Sequence, residues 1–470
     1  MMNLKLTSTL GIWNRIRPLE TFIHMRSTLR IFFNRKNTGL PILWFGVLVV
    51  ILFFFSGESF GRMYIDINAP SVQKFNIAIP DFRNLSKNNE HPELSNKLPG
   101  VTSNDLDLSG YFNSMDKEAF LEEQDTSMTL EDIRFRDWSV IGAELLLKGS
   151  YVCIGRSLEV EIRLFDVFHG RQILGKRVLG DISRYRYLMH RLGNEIILKL
   201  TGKPGIFLTK LAFVGNASGH KEIYMSDYDG HNVKRITSDK SIALLPRLSS
   251  DGKKIMFNSY KDGGGPLLYM KNIASGTIKR ISARSGLNTG ASWAPGNKKA
   301  ALTLSRKGTP NIYMINLKGK ILKQLTSHWG IDVSPSFSRN GNNIAFVSNR
   351  SGSPQIYVLD LSRGTKERLT FEGKYNTSPS WSSQNRIAFT SMDSGRFDIW
   401  AMDADGGRMR KLTENQGNNE DPCWSPDGNY IVFSSNRSGR YHLYIMNGNG
   451  QNQRRITFLK GDQTAPSWAY

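Results

Sequence analysis

The chain has 470 residues, with 62 Lys and Arg against 41 Asp and Glu, a formal charge of +21. That length suits about two to three domains, each able to bury a core, and the basic residues are scattered rather than blocked, which argues against a nucleic-acid partner. Two cysteines, Cys153 and Cys423, are too few and too far apart for a disulfide framework or a thiolate metal site, so buried apolar thiols are expected.

Residues 1–61 carry seven basic and two acidic groups, so +5 of the charge lies there and +16 remains beyond. Within them the run ILWFGVLVVILFFF, residues 42–55, is uncharged and apolar, preceded by basic residues and followed by SGESFG. That order is the n-region, h-region and c-region of a secretory signal. Ser59 and Gly61 stand three and one before a cut at Arg62. The run is short for a membrane span, which takes about 20 residues; counted from Leu40 to Gly57 it reaches 18, and an uncleaved anchor is the alternative. The preceding leader is long, and Met25 is an alternative start. Either reading sends the remaining 409 residues out of the cytoplasm.

Residues 62–205 show no repeat. Phe75–Pro80 reads as a buried strand. Residues 145–154 and 158–167 read as a strand pair, the second alternating apolar and charged, and residues 171–180 as a third strand. Tyr187–Leu200 places Leu188, Leu192 and Ile196 at helical spacing, and Thr201-Gly202-Lys203-Pro204-Gly205 stops the helix and begins a linker. Residues 84–96 read as a loop. The expectation is a small α/β domain with its helices on one side of the sheet.

From residue 206 onward one unit repeats six times. Pro246, Ala291, Pro335, Pro379, Pro422 and Pro466 open variants of P-S-W-S at spacings of 45, 44, 44, 43 and 44 residues. Three further motifs keep that period. They are I-A-F-V-S, as at Ile344; I-Y-M, as at Ile223 and Ile312; and R-I-T, as at Arg235 and Arg455. Each is short, rich in β-branched and aromatic residues, and bounded by Asp-Gly or Ser-Gly turns. Four strands in about 44 residues make one propeller blade. The array starts at Leu211 with the second strand of a blade and ends at Pro466–Tyr470 with a first strand. The last residues are therefore expected to complete the first blade and close the ring. The fold class read from the chain is an α+β N-terminal domain (62–205) followed by an all-β six-bladed propeller (206–470).

The residues resemble the TolB family of Tol–Pal systems across roughly 64–470. The resemblance rests on IAIPDF at Ile77, DLDLSGYF at Asp105, Trp138 followed by IGAELLLKGSY at Ile141, LFDV at Leu164, and LTGKPGIFLTKLAFV at Leu200. The repeat itself is shared more widely. The resemblance implies a non-enzymatic, periplasmic, monomeric scaffold without cofactor. It would bind the peptidoglycan-associated lipoprotein Pal through a propeller mouth and help keep the outer membrane joined to the wall during division. It also implies that a segment near the mature N-terminus, Tyr64, Ile65, Asp66 and Ile67, reaches a TolA-like inner-membrane protein. The long basic leader and the high charge depart from the family pattern.

Three residues before each proline anchor stand Asn288, Asp332, Asn376, Asn419 and Gln463, with Ala243 in the first position. Six-fold geometry puts these residues at one tunnel mouth, where polar side chains suit a partner loop; turn capping is the plainer reading. Asp227–Gly230 and Asp403–Gly406 resemble the start of a calcium loop but lack its downstream ligands, and read as hairpin turns. The periodic Trp293, Phe337, Trp381, Trp424 and Trp468 read as packing between blades. No G-x-S-x-G, H-E-x-x-H or P-loop frame stands in the sequence. Two other readings remain: the gating propeller of a secreted hydrolase, or an envelope-glycan-binding propeller.

Overall fold

The computed structural model describes residues 74–121 and 127–470. The leader, the apolar run and the Tyr64–Ile67 segment lie outside the described residues. Among those described, no helix is long and apolar enough to cross a membrane.

The N-terminal domain is built on one sheet. Strand β1 (Phe75–Ala78) pairs in parallel with both β3 (Phe112–Ser114) and β4 (Leu145–Ile154). The short β2 (Arg83–Asn84) pairs with the far half of β4. Strands β5 (Ser157–Asp166) and β6 (Arg171–Asp181) continue the sheet antiparallel, in the order β3-β1-β4-β5-β6. Helix α1 (Leu94–Ser109) crosses from β1 towards β3, a βαβ unit.

Residues 84–96 are not wholly loop, because α1 begins at Leu94. Pro99 and Gly100 masked the helical pattern. Pro99 has no N–H to bond the carbonyl of Ser95, and that carbonyl instead accepts the Phe82 N–H at 2.9 Å. The lost helical bond thus becomes the tie between α1 and the sheet. Helix α2 (Phe135–Val140) is short, and α3 (Tyr185–Thr201) ends at Gly202, whose φ of 74° and N–H bond to Leu198 O form a left-handed cap.

Helices α1 and α3 share a core with one face of the sheet: Leu145 and Leu147 of β4 and Leu158, Val160, Ile162 and Leu164 of β5 point into it. The alternate residues Ala78, Leu146 and Phe165 pack with Trp138 of α2 on the other face. The expectation of helices on one side is corrected there. β4 is buried on both faces, as its near-continuous apolar run requires. Gly149 lies within it because a Cβ there would sit 2.6 Å from the Phe82 ring.

The propeller has six four-stranded antiparallel sheets. In blade 1, the C-terminal strand Gln463–Ala469 is innermost and pairs with β7 (Lys210–Gly215), followed by β8 (Glu222–Asp227) and β9 (Lys234–Arg235). The ring closes through Ser467 opposite Ala212 and Trp468 opposite Leu211. Asp462 N–H donates to Asn216 Oδ1 at 2.7 Å, and Trp468 Nε1 donates to Thr209 Oγ1 at 2.8 Å.

The repeated threonine of R-I-T has a physical role. Its hydroxyl accepts the N–H of the first residue of I-Y-M at 2.8–2.9 Å, as Thr237 does for Ile223, Thr413 for Ile399 and Thr457 for Leu443. It supplies an acceptor to the buried third strand where the outermost strand runs out. The periodic aromatics pack between blades: Trp424 lies in the core cluster that joins neighbouring blades, and Trp293 Nε1 donates to Arg247 O at 2.8 Å on the blade before it.

Candidate partner-binding face

Four of the six innermost strands begin at polar positions read from the sequence, Asn288, Asp332, Asn419 and Gln463, and Asn376 is the second residue of a fifth. All five are fully buried, as is Ala243. Their side chains turn back onto the loops before them. Asn288 Oδ1 accepts from Ser282 Oγ and Arg284 N at 2.6 and 3.1 Å, and its amide donates to Arg284 O and Gly286 O. Asp332 takes both oxygens' worth of Arg350 at 3.0 and 2.9 Å. Asn376 donates to Gln355 Oε1 and Glu372 O, both at 2.8 Å. Asn419 donates to Asp398 Oδ1 at 3.1 Å and accepts from Arg437 at 2.8 Å. Gln463 meets His442 at 2.6 Å and donates to Gly461 O at 2.6 Å.

Several of these contacts run between blades. Thr370, Gln355 and Asn376 form one chain of hydrogen bonds, and Thr413, Asp398 and Asn419 another. Arg350 and Arg437 bring the second-to-third-strand turns into the network. Arg350 lies over Phe346 and Tyr357, and Arg437 over Phe433 and Tyr444. Burial lowers the Arg437 guanidinium below its ordinary value. A buried hydrogen-bond network of this kind rigidifies the loops it holds, although Asn376 Oδ1 has no partner in it.

Two residues beyond Ala243 and beyond each of the five polar positions the strand bulges. Leu245, Gly290, Ser334, Ser378, Asp421 and Ala465 all have φ between 50° and 61°. The strand pairing shifts at each of these points. Only one is glycine, so five L-residues sit in a conformation that costs about 1–2 kcal/mol each. Neighbouring blades hold some of the bulges: Asp421 N donates to Thr390 Oγ1 at 3.1 Å, and Ala465 N to Ser434 Oγ at 3.2 Å. The inner wall is acidic at blade 6, where Ser378 donates to Asp421 at 2.9 Å and Tyr441 donates to Glu420. Burial raises the Glu420 carboxyl above its usual range, against that hydrogen bond.

The loops held by the anchors present apolar side chains to solvent. Trp329, Phe371 and Phe458 are 75%, 71% and 73% exposed, and Ile242, Leu287 and Tyr375 are also exposed. They stand on five of the six blade connections; the sixth, residues 414–418, reads ENQGN. Arg368 and Arg455 stack on Phe371 and Phe458 at 4.9 and 4.7 Å. Trp329, Phe371 and Phe458 thus expose large apolar side chains on three of the blade connections. The N-terminal domain does not cover it. That domain meets the turns at the other end of the blades, where Tyr430 donates to Ser109 O at 2.7 Å and Asn452 to Asp107 O at 3.3 Å.

A family model described as the TolB amino-terminal domain matches residues 63–173, and one described as the TolB beta propeller domain matches residues 197–470. The chain belongs to the TolB family. A Tol-Pal system protein TolB from Desulfosudis oleivorans is 42% identical over 248 residues, 52% of this chain and 56% of that protein. One from Syntrophus aciditrophicus is 36% identical over 253 residues, again 56% of its length. The matched region thus spans just over half of these curated relatives. The crystal structure of TolB from Acinetobacter baumannii is 29% identical, with a TM-score of 0.75, covering 84% of this chain and 97% of that one.

The TolB amino-terminal domain is joined to its propeller by a buried ionic junction that no sequence motif announced. Asp105 of α1, His190 of α3 and Asp229 in the turn after β8 converge. His190 Nδ1 lies 2.8 Å from Asp105, and its Nε2 lies 3.6 Å from Asp229. Tyr228 donates to Asp105 at 2.5 Å, and Arg186 pairs with Asp229. Burial raises the Asp105 carboxyl, opposed by the bonds from His190 and Tyr228. Burial acts the same way on Asp229. There the His231 bond and the charges of His190 and Arg186 prevail and hold it well below the usual carboxylate range. Arg186 supplies the positive charge that a metal ion would bring, so the cluster is an ion-pair junction. Asp229 belongs to the Asp227–Gly230 turn, where Gly230 N donates to Asp227 O at 3.0 Å. The aspartates of a hairpin turn therefore also fasten two domains. The three segments lie far apart in the chain, and only the DLDLSGYF motif hinted that Asp105 mattered.

Proposed function

We propose that this chain is a non-enzymatic scaffold of a Tol–Pal system, working in the periplasm, and that its propeller loop face carries a Pal-like lipoprotein. Family membership supports the system, and curated relatives bear the name Tol-Pal system protein TolB. The observation that carries the contact is the exposed ring of Trp329, Phe371 and Phe458 on the face away from the N-terminal domain. Aromatic anchors set on rigid loops lose little side-chain freedom on binding and dominate interface energies. In this reading Asn288, Asp332, Asn376, Asn419 and Gln463 act as positioning residues beneath the ring, not as contact residues. The acidic wall at Glu420 and Asp421 favours a basic or amide-bearing segment of the partner.

The same reading assigns residues 1–61 to export, as a leader with a signal or anchor. It assigns the segment around Tyr64, Ile65, Asp66 and Ile67 to a TolA-like protein of the inner membrane, and the assembly to outer-membrane integrity during division. The test is capture of Pal from an envelope extract by residues 62–470, followed by titration with purified Pal. The double variant Trp329→Ala/Phe371→Ala is expected to weaken binding by at least about tenfold. Unchanged affinity, or recovery of glycan without Pal, would reject the assignment.

A further inference from the structure

A pocket of about 740 Å³ opens on the loop face between blades 6 and 1. Its walls are the turn after β7, the start of the third strand of blade 6 with Arg440 and His442, and the connection Phe458–Gly461. Arg455 and Lys460 line it as well. Arg440 and Lys460 are exposed and Arg455 is half-buried. Among the described residues no carboxylate lines the pocket, and none pairs with these three cations. Asp462, the next residue in the chain, is spent elsewhere. Its oxygens accept from Tyr441 N at 3.1 Å and Asn216 Nδ2 at 3.3 Å.

The repeat itself shows what is missing here. The residue before the I-Y-M motif is an acceptor in other blades: Glu222, Gln355 and Asp398 each take the hydroxyl of the repeated threonine. In blade 5, Asp398 also pairs with Lys411 of the fourth strand at 3.1 Å. The corresponding residues of blade 6 are His442 and Arg455, and Arg455 Nη2 lies 3.3 Å from His442 Nδ1. A carboxylate facing a cation has become a basic ring facing a cation. The ring is also held in a fixed sense. Gln463 Nε2 donates to the carbonyls of Leu459, Lys460 and Gly461. Its Oε1 is therefore left to accept from His442 Nδ1–H at 2.6 Å. His442 is 6% exposed, and its Nε2 finds no partner among the described residues. That nitrogen is the one left to face the pocket that the ring lines.

We propose that this pocket takes an acidic side chain of the partner that covers the loop face. The partner's carboxylate supplies from outside the pairing that Asp398 and Lys411 make within blade 5. Arg455 receives an anion, Arg440 and Lys460 close on it, and His442 Nε2 donates to it once protonated. Arg455 already stacks on the exposed Phe458, so the charged contact adjoins an apolar one. The proposal rests on the reading of the loop face given above and adds a polarity to it. The partner is acidic over blades 6 and 1, and basic or amide-bearing over Glu420 and Asp421.

The test uses the compact unit Arg62–Tyr470, labelled with nitrogen-15. It is titrated at fixed ionic strength with N-acetylglutamate amide, with N-acetylglutamine amide and with inorganic phosphate, and the imidazole nitrogens are followed by NMR. His442→Gln identifies the His442 signals. The glutamate compound is expected to move the Nε2 signal saturably towards its protonated position, and the glutamine compound to leave it in place. Arg440→Ala/Lys460→Ala should remove most of that response. Both residues are exposed, so the thermal midpoint should stay where it is. In a second arm, the same double variant is expected to weaken binding of purified Pal by about tenfold. The control pair Arg363→Ala/Lys366→Ala, exposed on blade 4, should change nothing. No response to the glutamate compound, an equal response to glutamine, or a stronger one to phosphate overturns the proposal. So does Pal binding that is indifferent to the Arg440/Lys460 change. A response to glutamate without any binding of Pal upholds the carboxylate pocket and rejects Pal as the partner.

Discussion

Asn419 and Trp329 divide the labour at the propeller mouth. Asn419 is buried and spends its amide on Asp398 and Gly417 and its oxygen on Arg437. Asn419→Ala leaves the half-buried Arg437 short of an acceptor and should destabilise by about 1–3 kcal/mol, measured by urea unfolding. Trp329 stands in solvent, and Trp329→Ala should stay within about 0.5 kcal/mol of the parent. Similar losses for the two variants would refute this division. The recurrence of polar residues at these positions could be read from the period alone. Their burial could not, because the same Asn or Gln serves a solvent loop or an inward staple. The choice depends on whether a neighbouring blade offers partners such as Gln355 or His442.

Strands and helices show the same pattern. The propeller strands were written plainly, since each motif has period two and each turn has its glycine or asparagine. The predicted strand at 145–154 coincides with β4, and the helix read as 187–200 runs from Tyr185 to Thr201. Helix α1 was missed because its Pro99 and Gly100 break the local rule, and the carbonyl that proline frees finds its donor in Phe82, outside the helix. The C-terminal strand gives the clearest prediction at this scale. Deleting residues 466–470 removes Ser467 and Trp468 from the β7 ladder and opens the β7 edge. Differential scanning calorimetry should show the thermal midpoint falling by well over the roughly 2–4 °C that 1 kcal/mol is worth at this size. An unchanged midpoint would mean that the ring does not depend on that strand.

In the molecule as a whole, the junction of Asp105, His190 and Asp229 ties the TolB amino-terminal domain to blade 1, and it should be sensitive to acid. Asp229 titrates below its unfolded value of about 4. Its ionised form therefore stabilises the fold above that pH, and the contribution is lost as pH falls through and below it. His231 is raised by the Asp229 bond, against burial. Its contribution is complete below about pH 6.5 and declines as pH rises through the folded value. Stability measured against pH should thus be best between about 4 and 6.5, and Asp229→Asn should lower it most in that window while changing little in stronger acid. A variant that shifts the curve equally at every pH would show that the junction acts by packing rather than charge.

The linear chain dictates whatever repeats or alternates. Six copies of four strand motifs impose the blades, and a first-strand motif at Pro466 with second-strand pairing waiting at Leu211 imposes closure. Those features rest on local propensity and period, which neighbours in sequence carry by themselves. Tertiary structure alone decided that the five polar anchors face inward and that an exposed aromatic ring crowns them. It alone brought Asp105, His190 and Asp229 together, and it set His442 beside Arg455 in a pocket between blades 6 and 1. Each of these depends on groups from distant segments arriving at hydrogen-bonding distance, and no periodicity encodes that.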